Sequence, residues 1–199
     1  AGDEDSMIST KAGEYLSVLD IQANDHVKIK SELENVVFSI KKKRPISNHD
    51  EVIIQEMVRD IDMSGVLFTR ELNSGSPYYV VNYDDQSGRS DTVTSGGSEY
   101  SNRTIFIHRE SFSKIKSKRH KSLINSVIEI EKIMNSNSLD IEFIVDKKFL
   151  VHILQVRPIS TQSKWKNNIN EELKNLLVVS ESFLKKYLKP FTKVLGKTT

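Results

Sequence analysis

The chain has 199 residues, of which 37% are hydrophobic and 8% aromatic, a composition typical of a globular protein with its own core. Its 29 basic residues nearly balance its 27 acidic residues, and the net charge of +2 gives no electrostatic reason to expect nucleic acid or a membrane surface as a partner. It contains no cysteine, which excludes disulfides, thiolate metal sites and a cysteine nucleophile.

The sequence has neither of the two patterns that direct a chain to a membrane or to secretion. No stretch approaches the roughly 20 apolar residues that span a bilayer. The N-terminal segment is acidic and polar, whereas a signal peptide is basic and then apolar. We therefore expect a cytoplasmic protein with no membrane partner. The chain begins at Ala1 without a methionine, which we interpret as the sign of a longer chain that has been cut or processed.

The first elements predicted along the chain are a short strand and a helix. Alternation over Tyr15–Ile21 predicts the strand, which stops before a helix-capping signal at Asn24–Asp25. The helix that follows has one apolar stripe, formed by Ile29, Leu33, Val36, Val37 and Ile40. The basic run Lys41–Arg44 suits the negative end of the helix dipole, and we interpret it as a solvated last turn rather than a nucleic-acid patch.

A region of strands and a second helix come next. Short β-branched or aromatic runs separated by Asp, Gly, Ser and Asn predict a sheet, and these runs are "VIIQEMV" from Val52, "SGVLFT" from Ser64, "YYVVNY" from Tyr78, "DTVT" from Asp91 and "TIFIH" from Thr104. A helix is predicted over residues 118–135, with its buried face formed by Leu123, Ile124, Val127, Ile128, Ile130 and Met134.

The last forty residues predict a linker and a trailing helix. A stripe at helical spacing runs over residues 170–188, formed by Leu173, Leu176, Leu177, Ser180, Phe183, Leu184 and Tyr187. Such a stripe packs on its own domain or on a neighbouring one. A membrane-surface helix is the less favoured alternative, because charges of both signs are interspersed along it.

Between these two helices lies the stretch "DIEFIVDKKFLVHILQVRP", residues 140–158, which reads as a β-hairpin. With Lys147 and Lys148 as a two-residue turn, Ile144 would face Val151, Glu142 would face Ile153 and Asp140 would face Gln155. Asp140, Glu142, Gln155 and Arg157 would then all point to one side of the sheet. His152 is expected on the face opposite Gln155, as a core or interface histidine.

These four polar residues have a defined chemistry if they share a face. Two carboxylates and an amide oxygen are hard oxygen donors of the kind that Mg²⁺ prefers, and Mg²⁺ in turn shares its shell with substrate phosphates. An arginine beside them would hold a phosphate in a bidentate manner. The alternative is an ordinary amphipathic hairpin with a wet face, and spacing alone favours that alternative.

Several motifs in a fixed order favour the first of these two interpretations, a site for Mg²⁺ and phosphate. They are Ala12–Val18 (A-G-x-x-x-x-V in this chain), Gln55-Glu56-Met57-Val58, Ser64–Arg70 (S-G-V-L-F-T-R), Asp91–Gly96 (D-T-V-T-S-G), Asp140-Ile141-Glu142-Phe143 and Leu154-Gln155-Val156-Arg157-Pro158. Together they resemble the ATP-binding domain of the pyruvate phosphate dikinase and phosphoenolpyruvate synthase family. The resemblance extends over residues 1–160, about four fifths of the chain.

The resemblance implies an α+β protein of the ATP-grasp type, with a mixed or antiparallel sheet and flanking helices. Residues 1–160 would be the C-terminal part of the nucleotide-binding module, with the N-terminal lobe region missing, and residues 161–199 a linker and trailing helix. The resemblance also implies ATP and Mg²⁺ as cofactors. The family's upstream phosphate-contacting residues would lie before Ala1, so the chain alone is expected to be inactive.

The resemblance also implies roles for particular residues. Gln55, Met57 and Val58 would contact adenine, chiefly through their backbone. Thr69 and Asp91 would contribute to nucleotide binding, and Asp91 replaces a family glutamate with a shorter acid. Glu142 and Gln155, with Asp140 close by, would hold Mg²⁺ against the phosphates. Arg157 would meet the phosphate charge as the catalytic residue.

The family transfers phosphate from ATP to a histidine on a separate swivelling domain and then to a small-molecule acceptor. That histidine lies in a G-G-x-x-S-H type loop, and none of the five histidines here has this setting. The phosphohistidine domain and the upstream residues would therefore be partners from outside this sequence. The alternative function is a noncatalytic domain derived from the same fold that binds a nucleotide or a protein partner.

Overall fold

The protein is described by a computed structural model over residues 16–89, 103–160, 165 and 168–194, with side chains described as far as Tyr187. Within these ranges it is an α+β protein with three α-helices and five strands. The helices are α1 (His26–Lys43), α2 (Lys118–Ile133) and α3 (Ile169–Val194), and a short 3₁₀-helix spans Arg109–Lys114. The strands are β1 (Ile61–Phe68), β2 (Tyr78–Asp84), β3 (Arg103–His108), β4 (Leu139–Asp146) and β5 (Val151–Pro158).

The five strands form one antiparallel sheet in the order β3-β2-β1-β4-β5. Strand β1 therefore lies at the centre, between β2 and β4. The chain leaves edge strand β3, passes through α2 and returns as β4 on the other side of β1. The coarse expectation of an antiparallel sheet with flanking helices is confirmed. The predicted "DTVT" strand falls at residues 91–94, outside the described residues.

Helix α1 begins where the capping signal predicts. The Asp25 carboxylate accepts a hydrogen bond from the Lys28 backbone N–H at 2.9 Å and so caps the first turn. The lysines of the last turn, Lys41–Lys43, are exposed, as expected for a solvated helix end that favours positive charge. Ile40 is buried, and the rest of the predicted stripe is partly buried.

Two of the predicted strands are wrong. Residues 16–22 form no strand, and Leu16 and Leu19 are exposed. Residues 51–59 are also outside the sheet, with Ile53 85% and Ile54 70% exposed. Both stretches have the residue types of strands, but a strand is stable only when a neighbouring strand satisfies its backbone, and a local pattern does not contain that neighbour.

The hydrophobic core lies between α2 and one face of the sheet. Alternate residues of the strands and three residues of α2 form it, namely Met63, Leu67, Tyr79, Val81, Tyr83, Leu123, Ile124, Val127, Leu139, Ile141, Phe143 and Val145. The predicted face of α2 is largely confirmed. Met134 is the exception, because α2 ends at Ile133 and the Met134 side chain is exposed at the cap.

A buried ion pair fastens α2 to the sheet. Arg109 donates two hydrogen bonds of 2.7 Å to the Glu131 carboxylate, and a third of 2.9 Å to the Thr69 carbonyl. The Arg109 guanidinium also lies 4.5 Å from the ring centroid of Tyr79, whose hydroxyl donates to Glu131 at 3.1 Å. Burial raises the pKa of Tyr79 to about 12. The cluster explains how a glutamate occupies the buried side of α2.

Gly65 allows β1 and β2 to lie close together. A Cβ atom at this position would lie 2.0 Å from the Asn82 carbonyl oxygen and 2.8 Å from the Tyr83 Cα. Both of these atoms belong to the backbone of β2 and cannot rotate away. The glycine of the "SGVLF" motif is therefore required by the packing of two strand backbones.

Candidate functional site

The turn between β4 and β5 differs from the predicted two-residue turn. The Asp146 backbone N–H donates to the Leu150 carbonyl at 3.0 Å, so three residues form the loop, and Phe149 adopts a left-handed φ of 66°. Asp146 Oδ1 accepts hydrogen bonds from the backbone N–H groups of Lys148 (2.8 Å) and Leu150 (2.9 Å). These bonds, that from Leu150 foremost, hold the pKa of Asp146 below its usual range.

A β-bulge in β5 sets which residues of β4 and β5 lie opposite one another. The register shifts between Glu142 and Phe143, and Leu154 is the extra residue on β5. Because of this shift Glu142 lies opposite Gln155, and Asp140 lies opposite Arg157. The predicted pairs, Glu142 with Ile153 and Asp140 with Gln155, are wrong, but the four polar residues do share one face.

The three-residue loop also changes the face on which His152 lies. His152 lies opposite Ile144, which has the same alternation as Glu142, so His152 is on the same face as Gln155. The expectation that it lies on the opposite face is wrong, since the inserted residue reverses the alternation along β5. The His152 Nε2 atom is 3.6 Å from Asp146 Oδ2, and the side chain is partly exposed.

The Arg157 guanidinium stands between the two carboxylates of β4. Its Nη2 atom is 3.4 Å from Asp140 Oδ2 and 3.2 Å from Glu142 Oε1. Arg157 is only 7% exposed, whereas about a fifth to a quarter of each carboxylate side chain is exposed. Its Nε atom is buried and has no hydrogen-bond partner in the part of the chain that the structure describes. The arginine is thus held from one side only, and the carboxylates reach the solvent.

The face opposite α2, which we call the second face, continues from this cluster across the whole sheet. One cross-strand row runs Phe106, Val80, Phe68, Asp140, Arg157 from β3 to β5. Its three residues on β3, β2 and β1 are apolar, and its two residues on β4 and β5 are charged. Phe106 is 60% exposed, and Phe68 is partly exposed.

The neighbouring row on the second face runs Thr104, Asn82, Val66, Glu142, Gln155. Its residues on β3, β2, β4 and β5 are all polar, and Val66 on β1, two residues before Phe68 of the first row, is its apolar member. The Asn82 side-chain oxygen accepts a hydrogen bond from the Thr104 hydroxyl at 2.8 Å. The second face therefore joins an apolar strip to a cluster of oxygen donors and one guanidinium.

Thr69 is not brought to this cluster. It is fully buried at the end of β1, where its hydroxyl donates to the Asn137 carbonyl at 2.8 Å and accepts from the Leu139 backbone N–H at 2.7 Å. Its hydroxyl therefore ties β1 to the start of β4. This use of the side chain is structural, and it leaves no hydroxyl group for a ligand in this conformation.

The other residues implied for nucleotide binding lie outside the sheet. Gln55, Met57 and Val58 belong to segment 51–59, which forms neither helix nor strand, and among the described residues their backbone groups form no backbone hydrogen bond. The segment is held at both ends. Asp50 accepts a hydrogen bond from Arg44 at 2.8 Å, and the Asp60 carbonyl accepts one from the Lys147 N–H at 2.8 Å.

Asp91 lies outside the described residues. Within the described ranges, no group of three or more His, Asp or Glu side chains is close enough to hold a metal ion. The hairpin supplies two carboxylates and one amide. This donor set fits Mg²⁺, which keeps several waters and is commonly bound by one or two carboxylates together with substrate phosphates.

Sequence reasoning missed the apolar half of the second face. The signal was present, because the alternation of "YYVVNY" places Val80, which is also buried, and Asn82 on the face opposite Tyr79, Val81 and Tyr83. What the local pattern lacks is the order of the strands, which brings Val80 into one row with Asp140. Comparisons with protein-family models, with curated proteins and with solved structures found no match. The resemblance to the dikinase family thus rests on the motifs and their order.

Proposed function

We propose that the second face of the sheet binds Mg²⁺-ATP, and that the chain is the nucleotide-binding portion of an ATP-grasp phosphotransferase similar to pyruvate phosphate dikinase and phosphoenolpyruvate synthase. One observation supports this most strongly. The hairpin strands carry Asp140, Glu142, Gln155 and Arg157 on the same face, and the row that contains Asp140 and Arg157 continues into the apolar residues Phe68, Val80 and Phe106. ATP has the same division into a flat apolar base and a charged polyphosphate.

Arg157 would bind the phosphate end. Its guanidinium contacts two carboxylates, and its buried Nε–H remains a donor without a described partner. Phosphate oxygens are strong acceptors for a guanidinium, because a hydrogen bond between charged groups is about twice as strong as one between neutral groups. In this role Arg157 binds and orients the phosphates and stabilises negative charge that spreads over them during transfer.

Asp140, Glu142 and Gln155 would hold the metal. When bound, Mg²⁺ supplies charge neutralisation of the phosphates and orients them. The partly exposed carboxylates provide oxygen ligands at the solvent side of Arg157. The rigid pairing of β4 with β5 keeps their positions fixed relative to one another, which favours a defined phosphate geometry.

The base would lie against the apolar part of the second face and segment 51–59. Phe68, Val66 and the exposed Phe106 provide apolar surface. The backbone of residues 55–58 forms no backbone hydrogen bond to a described residue, so its N–H and C=O groups are available to the edge of an adenine ring. The side chains of Met57 and Val58 are not needed for this contact.

The reaction class is phosphoryl transfer from ATP to a carrier histidine on another domain and from there to a small-molecule acceptor. Residues of this chain would bind and orient the nucleotide, while the carrier and the acceptor site would belong to other domains. A noncatalytic nucleotide- or partner-binding domain is the second candidate. The observation that favours it is the contact of Arg157 with both carboxylates, which lets the cluster serve as a structural ion-pair network.

The test is calorimetric titration of the full chain with a nonhydrolysable ATP analogue, in Mg²⁺ and in EDTA. We expect binding that requires Mg²⁺. Glu142→Gln keeps the shape of the side chain but removes one negative ligand, and should weaken Mg²⁺-dependent binding by roughly tenfold. The double variant Glu142→Ala, Gln155→Ala should abolish it.

Glu129→Gln is the matched control. Glu129 is exposed on α2, and its substitution removes the same charge on the other side of the sheet. It should bind the nucleotide like the native chain. No binding by the native chain, or equal weakening by Glu129→Gln and Glu142→Gln, would contradict the proposal. Nucleotide binding that does not require Mg²⁺ and is unchanged by Glu142→Gln would favour the noncatalytic candidate.

A further inference from the structure

Segment 51–59 has the residue types of a strand but no neighbouring strand. Ile53 is 85% exposed and Ile54 is 70% exposed, and the segment lies outside every described helix and strand. It is rich in β-branched residues and contains neither proline nor glycine. Among the described residues, the backbone of residues 51–58 forms no hydrogen bond. Its N–H and C=O groups are therefore free to bind the edge of a sheet.

Strand β3 is an open edge of the sheet. The Arg109 N–H donates to the Pro77 carbonyl at 3.0 Å, and alternate residues of β3 continue this pattern of bonds to β2. The residues between them, Thr104, Phe106 and His108, therefore direct their backbone N–H and C=O groups away from β2. In the part of the chain that the structure describes, no residue bonds these outward groups. Such an edge is a template for a further strand.

The other edge of the sheet, β5, is less suited to a further strand. It is interrupted by the bulge at Leu154 and ends at Pro158, and both features hinder pairing along a sheet edge. Strand β3 pairs with β2 over six residues without a shift of register. A strand that adds to this sheet therefore fits β3 better than β5.

The side chains of the segment match those of β3 in one antiparallel alignment, the direction of every strand pair in this sheet. A shift of two residues either way would set Glu56 opposite Ile105 or Glu51 opposite Phe106, which leaves a carboxylate against an apolar side chain. Arg103 has room for a second partner, because its side chain is 49% exposed although it contacts Asp85. The matched pairs are Ile53 with Phe106, Gln55 with Thr104, Ile54 with Ile105, Val52 with Ile107, and Glu56 with Arg103.

The segment is poorly placed to reach β3 of its own chain. Asp60 stays in line with β1, because its carbonyl accepts a hydrogen bond from the Lys147 N–H at 2.8 Å. The position beyond β3 lies three strand spacings from β1, or about 14 Å. The four residues from Glu56 to Asp60 span about 14 Å only when they are fully straight, which leaves no residue for the two corners. The β3 edge of a second copy has no such restriction.

We propose that residues 51–56 of one copy of this chain bind β3 of a second copy as a sixth, antiparallel strand, with Ile53 opposite Phe106. Each copy carries both the segment and the open edge, so the exchange is reciprocal and closes at a dimer. The proposal goes beyond nucleotide binding, and it is tested without nucleotide and without Mg²⁺. Its failure is therefore distinct from a failure of the proposed nucleotide site.

The first test is sedimentation equilibrium of the full chain over roughly 1–200 μM, a range suited to a small interface. We expect a monomer–dimer equilibrium. Ile53→Pro removes the N–H that would donate to the Phe106 carbonyl, and it should give a monomer throughout the range. A monomer at every concentration for the native chain would overturn the proposal.

Ile54→Pro is the matched control. It loses the same side chain, but the N–H of residue 54 points away from β3 in the proposed strand, where proline is tolerated. We expect this variant to dimerise with a dissociation constant within roughly tenfold of the native value. Neither N–H has a described partner in the single chain, so both variants should fold like the native protein in circular dichroism and urea unfolding. Equal loss of the dimer in both variants would contradict the proposed pairing.

The charge pair provides a second test. Glu56→Lys sets a lysine opposite Arg103 twice in each dimer, and it should weaken dimerisation by roughly tenfold. Glu129→Lys changes the charge of the chain by the same amount, and Glu129 is exposed on α2. It should dimerise like the native chain. Equal weakening by the two variants would indicate general repulsion between chains and overturn the proposal.

Helix α3 is another exposed apolar surface and provides a control for the location of the contact. Leu176 is 60% and Phe183 58% exposed. None of the described helices is both long enough and apolar enough to cross a membrane. Leu176→Asp should leave dimerisation unchanged. Loss of the dimer in Leu176→Asp, together with normal dimerisation of Ile53→Pro, would assign the contact to α3 instead.

The pairing itself is tested by amide hydrogen exchange, measured residue by residue by NMR at low and high protein concentration. The N–H groups of Ile53 and Phe106 should become protected only in the dimer. The N–H of Ile54 should stay unprotected, and that of Ile105, which bonds β2, should be protected at both concentrations. A dimer in which the Phe106 N–H exchanges as fast as in the monomer would overturn the proposal.

Discussion

Arg157 shows how much of the candidate site depends on a single side chain. It is almost fully buried, and it contacts one carboxylate directly opposite in the ladder and a second one two residues along β4. Removing it would delete a charged contact of both partly buried carboxylates, which is costly for buried ion pairs. For this reason Glu142→Gln is the sharper probe of ligand binding, because it leaves Arg157 with Asp140 as its partner.

His120 predicts a pH dependence of stability. It is half buried, with its ring 5.4 Å from that of Tyr83, and its Nε2 atom has no hydrogen-bond partner within the described ranges. Burial, and secondarily the charge of Arg119, lowers the pKa of His120 below its usual 6.5. The unfolded chain therefore takes up this proton at a higher pH than the folded protein.

Because the folded-state pKa is the lower one, His120 should lower the free energy of unfolding as the pH falls below about 6.5. We expect stability to decrease from about pH 7 to about pH 5, and His120→Gln to remove part of that decrease. Urea unfolding of both proteins at the two pH values measures it. His49→Gln is the control, since His49 is exposed. Identical pH slopes for the native chain and His120→Gln would contradict the interpretation.

At the scale of elements, Gly65 and Gly88 allow the cost of a steric collision to be compared with the cost of a left-handed backbone conformation. A methyl group at Gly65 would collide with the backbone of β2. Gly88 has a left-handed φ of 66°, but a Cβ atom there would meet nothing within 4 Å. We expect Gly65→Ala to lower the free energy of unfolding by about 3 kcal/mol, the upper end of the cost of overpacking.

Gly88→Ala should cost only about 1 kcal/mol, the penalty of a non-glycine residue in the left-handed region. Equilibrium urea unfolding of the two variants gives both values. If the two substitutions cost the same, the close approach of β1 and β2 would not be the reason for the glycine.

The elements that could be predicted are those whose evidence is local. Helix α1 has its cap at Asp25 and its stripe within one segment, and β1, β2 and β3 match alternating runs. The prediction of a strand at residues 52–58 is wrong, because a strand needs a neighbouring strand and the segment itself does not encode one. The hairpin lies between these cases. Its strands were predicted, but the three-residue loop and the bulge at Leu154 were not.

The shared face of the four hairpin residues was predicted in spite of the wrong register. Two errors of one residue each, in the loop and at the bulge, together preserve the alternation near Gln155 and Arg157. The same pair of errors does not compensate at His152, which lies on the turn side of the bulge. Residues beyond an irregularity are therefore the ones for which alternation alone is a poor guide.

For the molecule as a whole, the resemblance of the motifs implied an α+β protein with a mixed or antiparallel sheet, but the strand order could not be read from the sequence. The order β3-β2-β1-β4-β5 depends on the crossover through α2, and that crossover is stabilised by contacts between residues distant in sequence, such as Arg109 with Glu131. The second face is a product of this order. The proposed base and phosphate regions are adjacent only because β1 lies between β2 and β4.

Segment 51–59 has a consequence for the covalent integrity of the chain. Proteases cut preferentially at exposed segments outside regular secondary structure, and this segment is exposed, lies outside helix and strand, and is tethered at both ends. Limited digestion with trypsin should therefore cut early after Arg59, separating α1 from the sheet. Arg59→Gln should remove that cut, whereas Arg103→Gln should leave it unchanged, because the Arg103 backbone is paired with Tyr83 in β3 and lies outside this segment. The segment would then act as a built-in cleavage site until a ligand or partner covers it.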